Sequence, residues 1–384
     1  MTNNLEIHNL LINQTGKKTC RLIIKPLAGT KEIRMASMNQ NRLLKRTASF
    51  SSLLFSIVFC IHHTVLASQP EQSNSDSLLI SRAAQNIVAK VTKGTHPKVF
   101  VICSKSKQKL ADEIIKVLDA QKFSNIQLIL DSNMESEITY FKDLITNLSE
   151  DWGLILLMDI PQASFLFTII GRPDTGIFIR EDKLFCDWLA NTETTVRVHA
   201  VDLNELDRFR QTLLTKVQNA KKIRITTKNG TDITVAPRHW LTSDGEIWTA
   251  PIEMSSNGQI LIDGTAYWGP VKKQFFLHIE NGRVTNIDQL DVADKQQMNV
   301  KKDLYRDSNA NVLAELGIGI NSGALPDKDL MEAEQARGTC HFGFGNNIMY
   351  GGENKSGYHF DLTVLSPTIE VDGKVICREG IYSF

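Results

Sequence analysis

The chain has 384 residues, of which 42% are hydrophobic and 22% are charged, and its 43 basic residues balance 43 acidic ones. This composition is typical of a globular protein with room for two domains and argues against a disordered chain. The charge is uneven, because residues 1–67 hold nine Lys and Arg against two acidic residues, which leaves a net charge of −7 on the remainder. A mildly acidic body argues against nucleic acid as a partner.

The N-terminal part of the sequence predicts export. Residues 38–67 contain a basic stretch around Arg42, an apolar run from Phe50 to Ile61 and small residues up to Ala67. That order is typical of a cleavable signal peptide, and the apolar run is shorter than the about 20 residues that a membrane span needs. We therefore predict an exported protein, periplasmic or secreted, with no stable membrane span in the mature chain; an uncleaved anchor is the alternative. Residues 1–37 are predicted to be a non-native or disordered extension.

A polar linker, residues 68–77, is followed by a segment in which helical and strand patterns alternate. The predicted helices are 81–91, 107–120, 140–148 and 204–217, and the predicted strands are 98–103, 125–130, 153–159 and 195–201. Strands that are apolar on both faces, such as 153–159 (GLILLMD), are typical of a parallel sheet covered by helices on both sides. Residues 78–220 are therefore predicted to form a three-layer α/β domain with a mostly parallel sheet. No glycine-rich phosphate loop follows its first strand, which disfavours nucleotide binding.

Residues 221–384 have a different pattern, with short strands separated by turn residues. The predicted strands are 222–226, 232–236, 259–262, 273–279 and 283–287, and one helix is predicted over 303–316. Asn-Gly pairs such as Asn281-Gly282 are strong hairpin signals. The sequence predicts an α+β domain rich in antiparallel strands, and this domain holds every candidate ligand. Four cysteines follow Ala67, none in CxxC spacing, so a zinc ribbon is disfavoured, and the disulfide state stays open.

The most informative run is residues 337–361, RGTCHFGFGNNIMYGGENKSGYHFD. It places His341, His359 and Asp361 among glycines, and imidazole and carboxylate are ligands of first-row transition metals. On a strand, His359 and Asp361 at i and i+2 point to the same face. The run predicts a metal site; a solvated strand face is the alternative. There are two further acidic candidates. Glu246 follows a glycine turn, and Glu315 lies at the predicted end of the 303–316 helix. Spacing alone predicts that both are surface residues.

Taken in order, the motifs of the C-terminal half resemble the aminopeptidase T family of metallo-aminopeptidases. They are GEIWTAP at 245–251, ELGIGIN at 315–321, GTCHFGFG at 338–345, GGENKSGYHFD at 351–361 and PTIEVDG at 367–373. The resemblance implies a two-domain homodimer that binds a pair of divalent cations (Zn, Co or Mn) and removes N-terminal residues from short peptides. Carried over residue by residue, the implied metal ligands are Glu246, Glu315, His341, His359 and Asp361. Glu246 is also our candidate general base, because it follows a turn rather than ending a helix.

The sequence departs from that family at one ligand position. The tyrosine that follows the first histidine in the characterised peptidases is here Ile348, and Tyr350 stands two residues later. A relative in the same superfamily, 2,5-dihydroxypyridine 5,6-dioxygenase, has a His-x-Asp pair similar to His359 and Asp361. The second hypothesis is therefore a mononuclear non-haem iron (Fe) enzyme that cleaves an aromatic ring, and the third is a non-enzymatic metal- or peptide-binding protein.

Overall fold

The computed structural model describes residues 21–23, 71–92, 98–130, 152–157, 184–187, 189, 191–267 and 269–384, and the statements below concern these residues. The predicted signal peptide and the predicted helix 140–148 lie outside them. Among the described helices, none is long and apolar enough to cross a membrane.

The described helices and strands are as follows. The helices are α1 Glu71–Val91, α2 Gln108–Ala120, α3 Thr192–His199, α4 Leu203–Val217, α5 Lys295–Leu304 and α6 Leu330–Ala333. The strands are β1 Arg21–Ile23, β2 Lys98–Ser104, β3 Ser124–Leu130, β4 Trp152–Leu157, β5 Leu184–Asp187, β6 Ile223–Thr226, β7 Asp232–Val235, β8 Pro237–Thr242, β9 Glu246–Pro251, β10 Asn257–Ile262, β11 Thr265–Ala266, β12 Gly269–Pro270, β13 Phe275–Glu280, β14 Arg283–Val284, β15 Leu313–Gly319, β16 Thr339–Gly345, β17 His359–Leu365, β18 Thr368–Val371, β19 Lys374–Arg378 and β20 Ile381–Tyr382.

The N-terminal unit is a small sheet of strand order β1-β3-β2-β4-β5. Strands β2 to β5 pair in parallel, and β1 adds an antiparallel edge from within the predicted extension. Helix α2 buries Leu110, Ile114 and Leu118, one turn apart, against one face of this sheet, as its periodicity predicts. On the opposite face Ile102 and Leu156 are also fully buried, as expected for a sheet covered on both sides.

Three features of this unit differ from the sequence prediction, and one of them is that a helix, α3, lies where a strand was predicted over 195–201. Helix α1 begins at Glu71, inside the segment predicted to be a linker. Helix α3 begins at Thr192, where the Asn191 side chain accepts a hydrogen bond from the Thr194 amide and so caps the helix. Strand β5 was not predicted, because its four residues give too short a pattern to recognise.

The C-terminal unit consists of two antiparallel sheets that pack face to face. Their strand orders are β14-β13-β10-β7-β6-β18-β19-β20 and β12-β11-β17-β16-β15-β9-β8. The core between them joins residues such as Ile225 and Ile260 from the first sheet to Leu316, Phe342 and Leu362 from the second. The prediction of an antiparallel, hairpin-rich domain is confirmed, since Asn281-Gly282 connects β13 to β14 as expected.

The predicted helix over 303–316 is wrong. Helix α5 starts after its cap, Asp294, and ends at Leu304, and the chain then turns into β15, which is buried along its whole length. Gly317, which directly follows the predicted helix, lies inside this strand. Glu315 therefore sits on a central strand rather than at a helix end, and the reason for preferring Glu246 as the base no longer holds. All four described cysteines are free thiols.

Candidate metal centre

The five predicted ligands come together on four adjacent strands of the second C-terminal sheet. Glu246 begins β9, Glu315 lies on β15 and His341 on β16, while His359 and Asp361 lie on β17. Strand pairing puts Glu315, Gly343 and Asp361 in one row across the sheet. In the next row on the same face, Gly317 lies between Trp248 and His341. Because side chains alternate between faces along a strand, all five ligands share the face opposite the core.

Glycines make room for the ligands on that face. A Cβ on Gly317 would lie 1.9 Å from the His341 ring, and a Cβ on Gly343 would lie 2.6 Å from both Asp361 Oδ1 and His359 Nε2. The neighbouring residues Leu316 and Phe342 point to the core and are fully buried. The repeats LGIG and FGFG thus alternate a core residue with a position that must lack a side chain.

The ligand atoms form two triads that share one carboxylate. His341 Nε2 lies 3.2 Å from Glu246 Oε2 and 3.3 Å from Glu315 Oε1. His359 Nε2 lies 3.2 Å from the other oxygen of Glu315, Oε2, and 3.1 Å from Asp361 Oδ1. Within each triad the three ligand atoms lie within 4.8 Å of one another. Each triad therefore offers one imidazole and two carboxylates, with Glu315 in a bridging position.

A fourth carboxylate, Glu334, was missed by the sequence reasoning. It follows α6 and is 7% exposed, and the charges of Asp361, Glu246 and Glu315 act on it. Burial and these neighbours raise the pKa of Glu334 well above its usual value. The surrounding sequence, EAEQAR, is typical of any polar helix end, so no motif or residue spacing marks Glu334 as part of the site.

Acidic side chains dominate the electrostatics of the centre. Burial raises the pKa of Glu246 to about 7, although His341 opposes the shift. Burial alone would lower the pKa of His341, but Glu246 and the neighbouring acids outweigh it and raise the value to about 10. At neutral pH, bound protons thus offset part of the negative charge of these carboxylates, as a bound cation would. Glu246 Oε2 is also buried without a hydrogen-bond partner, and a bound cation would satisfy it.

The two histidines are held differently. His359 Nδ1 donates to the carbonyl oxygen of Asn346 at 2.7 Å, which leaves Nε2 as the ligand nitrogen, the usual arrangement in metal sites. His341 Nδ1 is buried without a partner, so its ring is oriented by packing over Gly317 and by the two carboxylates.

Tyr350, rather than Ile348, lies beside the centre. Its ring packs edge-on against His359, with centroids 5.3 Å apart, and against Trp248 at 6.2 Å. Burial, then Glu315 and the other carboxylates, raises the pKa of the Tyr350 phenol. The side chain of Ile348 is 47% exposed. Tyr350 is thus available on the ligand face even though the family position is occupied by an aliphatic residue.

Comparisons with known proteins point to two enzyme groups. The family described as 2,5-dihydroxypyridine 5,6-dioxygenase (NicX) matches residues 238–383. The structure of 2,5-dihydroxypyridine dioxygenase from Pseudomonas putida KT2440 has a TM-score of 0.55 at 16% identity, covering 79% of this chain and 96% of that chain. Wild-type AmpT from Thermus thermophilus has a TM-score of 0.53 at 12% identity, covering 80% of this chain and 100% of that chain. A search of curated proteins gave no match.

At these identities the two structures establish the fold alone. The matched family and both structures are enzymes, and this supports an enzyme here. The candidate ligands all lie within the residues that the family matches.

Proposed function

We propose that the protein is a metal-dependent aminopeptidase that removes N-terminal residues from short peptides. The observation that carries this proposal is the shared carboxylate: Glu315 presents one oxygen to each of two triads, each with a single histidine. Two-metal hydrolases hold their ions about 3.5–4 Å apart in such a manner. When bound, the cation pair would polarise a peptide carbonyl and lower the pKa of an attacking water.

The residues of the chain supply binding and proton transfer. Two buried carboxylates, Glu315 and Glu334, and two half-buried ones, Glu246 and Asp361, favour a positively charged α-amino group at the centre. Short peptides as substrates and a homodimer that encloses the site complete the proposal and rest on the resemblance described above. Export is also proposed, and it rests on the signal-peptide pattern of residues 38–67.

Two carboxylates compete for the role of general base. Glu246 stays a prediction of the sequence, and Glu334 is the second candidate because it belongs to neither triad. A ligand lost by Glu→Gln substitution should reduce metal content, whereas a lost base should leave metal content intact and lower kcat by about 10²–10⁴-fold. Since a base acts only when deprotonated, kcat should rise with pH in the wild type, and this acidic limb should vanish in the variant that lacks the base. If Glu246→Gln and Glu334→Gln both lose metal and keep the acidic limb, neither is the base.

The aminopeptidase is tested with aminoacyl-p-nitroanilides and dipeptides after loading with Zn, Co or Mn. We expect hydrolysis of free-amine substrates, none of the N-acetylated forms, and about two ions per chain. Metal content is measured by elemental analysis on the same sample. Cleavage of acetylated substrates at equal rates would contradict an aminopeptidase while leaving a hydrolase.

A ring-cleaving dioxygenase is the second candidate, and the family match over 238–383 favours it. A mononuclear iron enzyme usually holds its ion with two histidines and one carboxylate. In the described part of the chain, neither triad contains both histidines. Oxygen uptake with 2,5-dihydroxypyridine by protein loaded with one Fe(II) would establish this alternative, and a filled site without turnover in either assay would favour the binding protein.

A further inference from the structure

The N-terminal unit reaches the metal centre through two ion pairs. The first joins α1 to the turn between β8 and β9, where Lys90 Nζ lies 2.8 Å from Asp244 Oδ2. Arg210 of α4 supports the same carboxylate, with Nη1 3.3 Å from Asp244 Oδ1. Asp244 stands two residues before Glu246, the first ligand of the first triad.

The second ion pair joins α3 to the segment that carries Glu334. Arg197 Nη2 lies 2.5 Å from Glu332 Oε1, and the Glu332 side chain is fully buried. The same oxygen of Glu332 accepts a hydrogen bond from the Leu325 amide at 2.9 Å. Glu332 stands two residues before Glu334. Each anchoring carboxylate is therefore two positions ahead of a carboxylate of the centre.

Residues 321–336, called here the bridging segment, lie between α3 and the ligand strands. Asn321 Nδ2 donates to the Val198 carbonyl at 3.0 Å, and a Cβ on Gly323 would lie 2.5 Å from the Arg197 carbonyl oxygen. On the other side, a Cβ on Gly319 of β15 would lie 2.8 Å from the Glu334 carbonyl oxygen. The bridging segment packs closely against α3 on one side and β15 on the other, so a shift of α3 would move Glu334.

Helix α3 is itself fixed by a buried polar cluster. Lys107 and Asp187, both buried, form an ion pair, and Asp187 also accepts from Thr195 Oγ1 of α3 at 2.8 Å. Lys107 Nζ donates in addition to the Leu189 carbonyl at 2.7 Å. A buried pair with these additional hydrogen bonds is costly to break, so α3 is a rigid support.

The second triad is supported from within the C-terminal unit. His359 is oriented by the Asn346 carbonyl, and the loop after β16 is held by Glu253, whose Oε1 accepts from Asn347 Nδ2 at 3.0 Å and from the Glu353 amide at 2.8 Å. The described residues show no comparable ion pair from the N-terminal unit to this loop.

From this asymmetry we propose that the N-terminal unit is a clamp for one of the two cation positions, the one formed by Glu246, Glu315 and His341. Lys90 is a positioning residue that acts through Asp244. Arg197 is one that acts through Glu332 on the bridging segment, whose Gln335 side chain would lie 2.4 Å from a Cβ on Gly245, the residue before Glu246. The proposal rests on the metal centre of the proposed function. It assigns the α/β unit a part in setting the affinity of the first position, whereas the position at His359 and Asp361 is independent of it.

The test is a Co(II) titration of the full chain, followed by visible absorption and by competition with a chelator. Wild type should bind in two steps. Lys90→Gln and Arg197→Gln should each weaken one step by about 10–100-fold, the usual effect of losing a residue that supports a ligand, and leave the other step unchanged. Arg224→Gln, which breaks the exposed pair with Asp232 on the other sheet, is the matched control and should change neither step.

Hydrogen exchange on the protein before cobalt is added gives a readout that does not need the metal. Amides of 330–336 should exchange faster in Arg197→Gln, and those of 359–365 should not. Equal weakening of both steps, or unchanged steps in both variants, would overturn the clamp. If wild type binds no cobalt, the metal function fails, and the exchange result still decides whether α3 holds the bridging segment. Lys90→Gln should fold normally, because Asp244 keeps its ion pair with Arg210 and its side chain is 43% exposed. It therefore tests the proposal even if Arg197→Gln fails to fold.

Discussion

Replacing Glu315 by glutamine is expected to remove both cations from the centre and to lower peptidase turnover by roughly a thousandfold or more. Glu315 gives Oε1 to the His341 side and Oε2 to the His359 side. Glutamine has one oxygen and one NH₂ group, so one of the two positions would meet a donor instead of an acceptor, and both would lose the negative charge. Substitutions in a single triad, Glu246→Gln or Asp361→Asn, should each cost mainly one ion.

Elemental analysis after dialysis against trace metal measures this difference directly. Glu370→Gln on β18 replaces a partly buried strand glutamate of the other sheet and should keep two ions and full turnover. If Glu315→Gln retained two ions, the carboxylate would not bridge. If it retained one ion while Asp361→Asn lost none, the occupied position would be the one at His341, and a mononuclear enzyme would be favoured.

The sequence predicts those parts of the fold and of the site that depend on residues close together in the chain. Helix α2 shows its apolar stripe, and the hairpins at Asn281-Gly282 and Asp372-Gly373 show their turn residues. His359 and Asp361 share a face because strand side chains alternate, which is a property of two residues on one strand. The remaining ligands became recognisable through their motifs.

The errors arise where the same residues support two local structures. In ELGIGIN the glycine after Leu316 is compatible with a helix cap, and the preceding polar segment favours helix, so the pattern predicted a helix that continues to Leu316. Packing decides otherwise, because β15 lies between β9 and β16 and is buried on both faces.

Contacts between distant parts of the chain are beyond sequence reasoning of this kind. Arg197 and Glu332 are 135 positions apart, and neither stands in a motif. Glu334 joins the centre only because the bridging segment folds back over β15. Fold likeness does not close this gap, since the same architecture is found in a dioxygenase and in AmpT. The chemistry depends on how many of the carboxylates hold cations.

Replacing Gly317 by alanine is expected to disable the first cation position without altering any ligand. A glycine in a strand normally gains stability on this change, by about 0.4–1 kcal/mol, because alanine restricts the unfolded chain. Gly317 is not among the described residues of positive φ, so its backbone accepts alanine. The added Cβ, however, would lie 1.9 Å from the ring of His341. The residues on either side of His341, Cys340 and Phe342, are fully buried. We therefore expect the opposite sign, a loss of about 1–3 kcal/mol of unfolding free energy from overpacking.

The displaced ring should also weaken the position formed by Glu246, Glu315 and His341, by about tenfold or more in cation affinity, since ligand geometry tolerates little error. Urea unfolding of the metal-free protein measures the first effect and cobalt titration the second. Gly269→Ala on β12 is the matched control, because no heavy atom of the described residues lies within 4 Å of the added Cβ. It should show the ordinary gain of about 0.4–1 kcal/mol in unfolding free energy and leave the cation affinity unchanged. A Gly317→Ala variant that is as stable as wild type and binds two ions with unchanged affinity would mean that the His341 ring has room to move. In that case the glycines of ELGIGIN would not be required by the ligands above them.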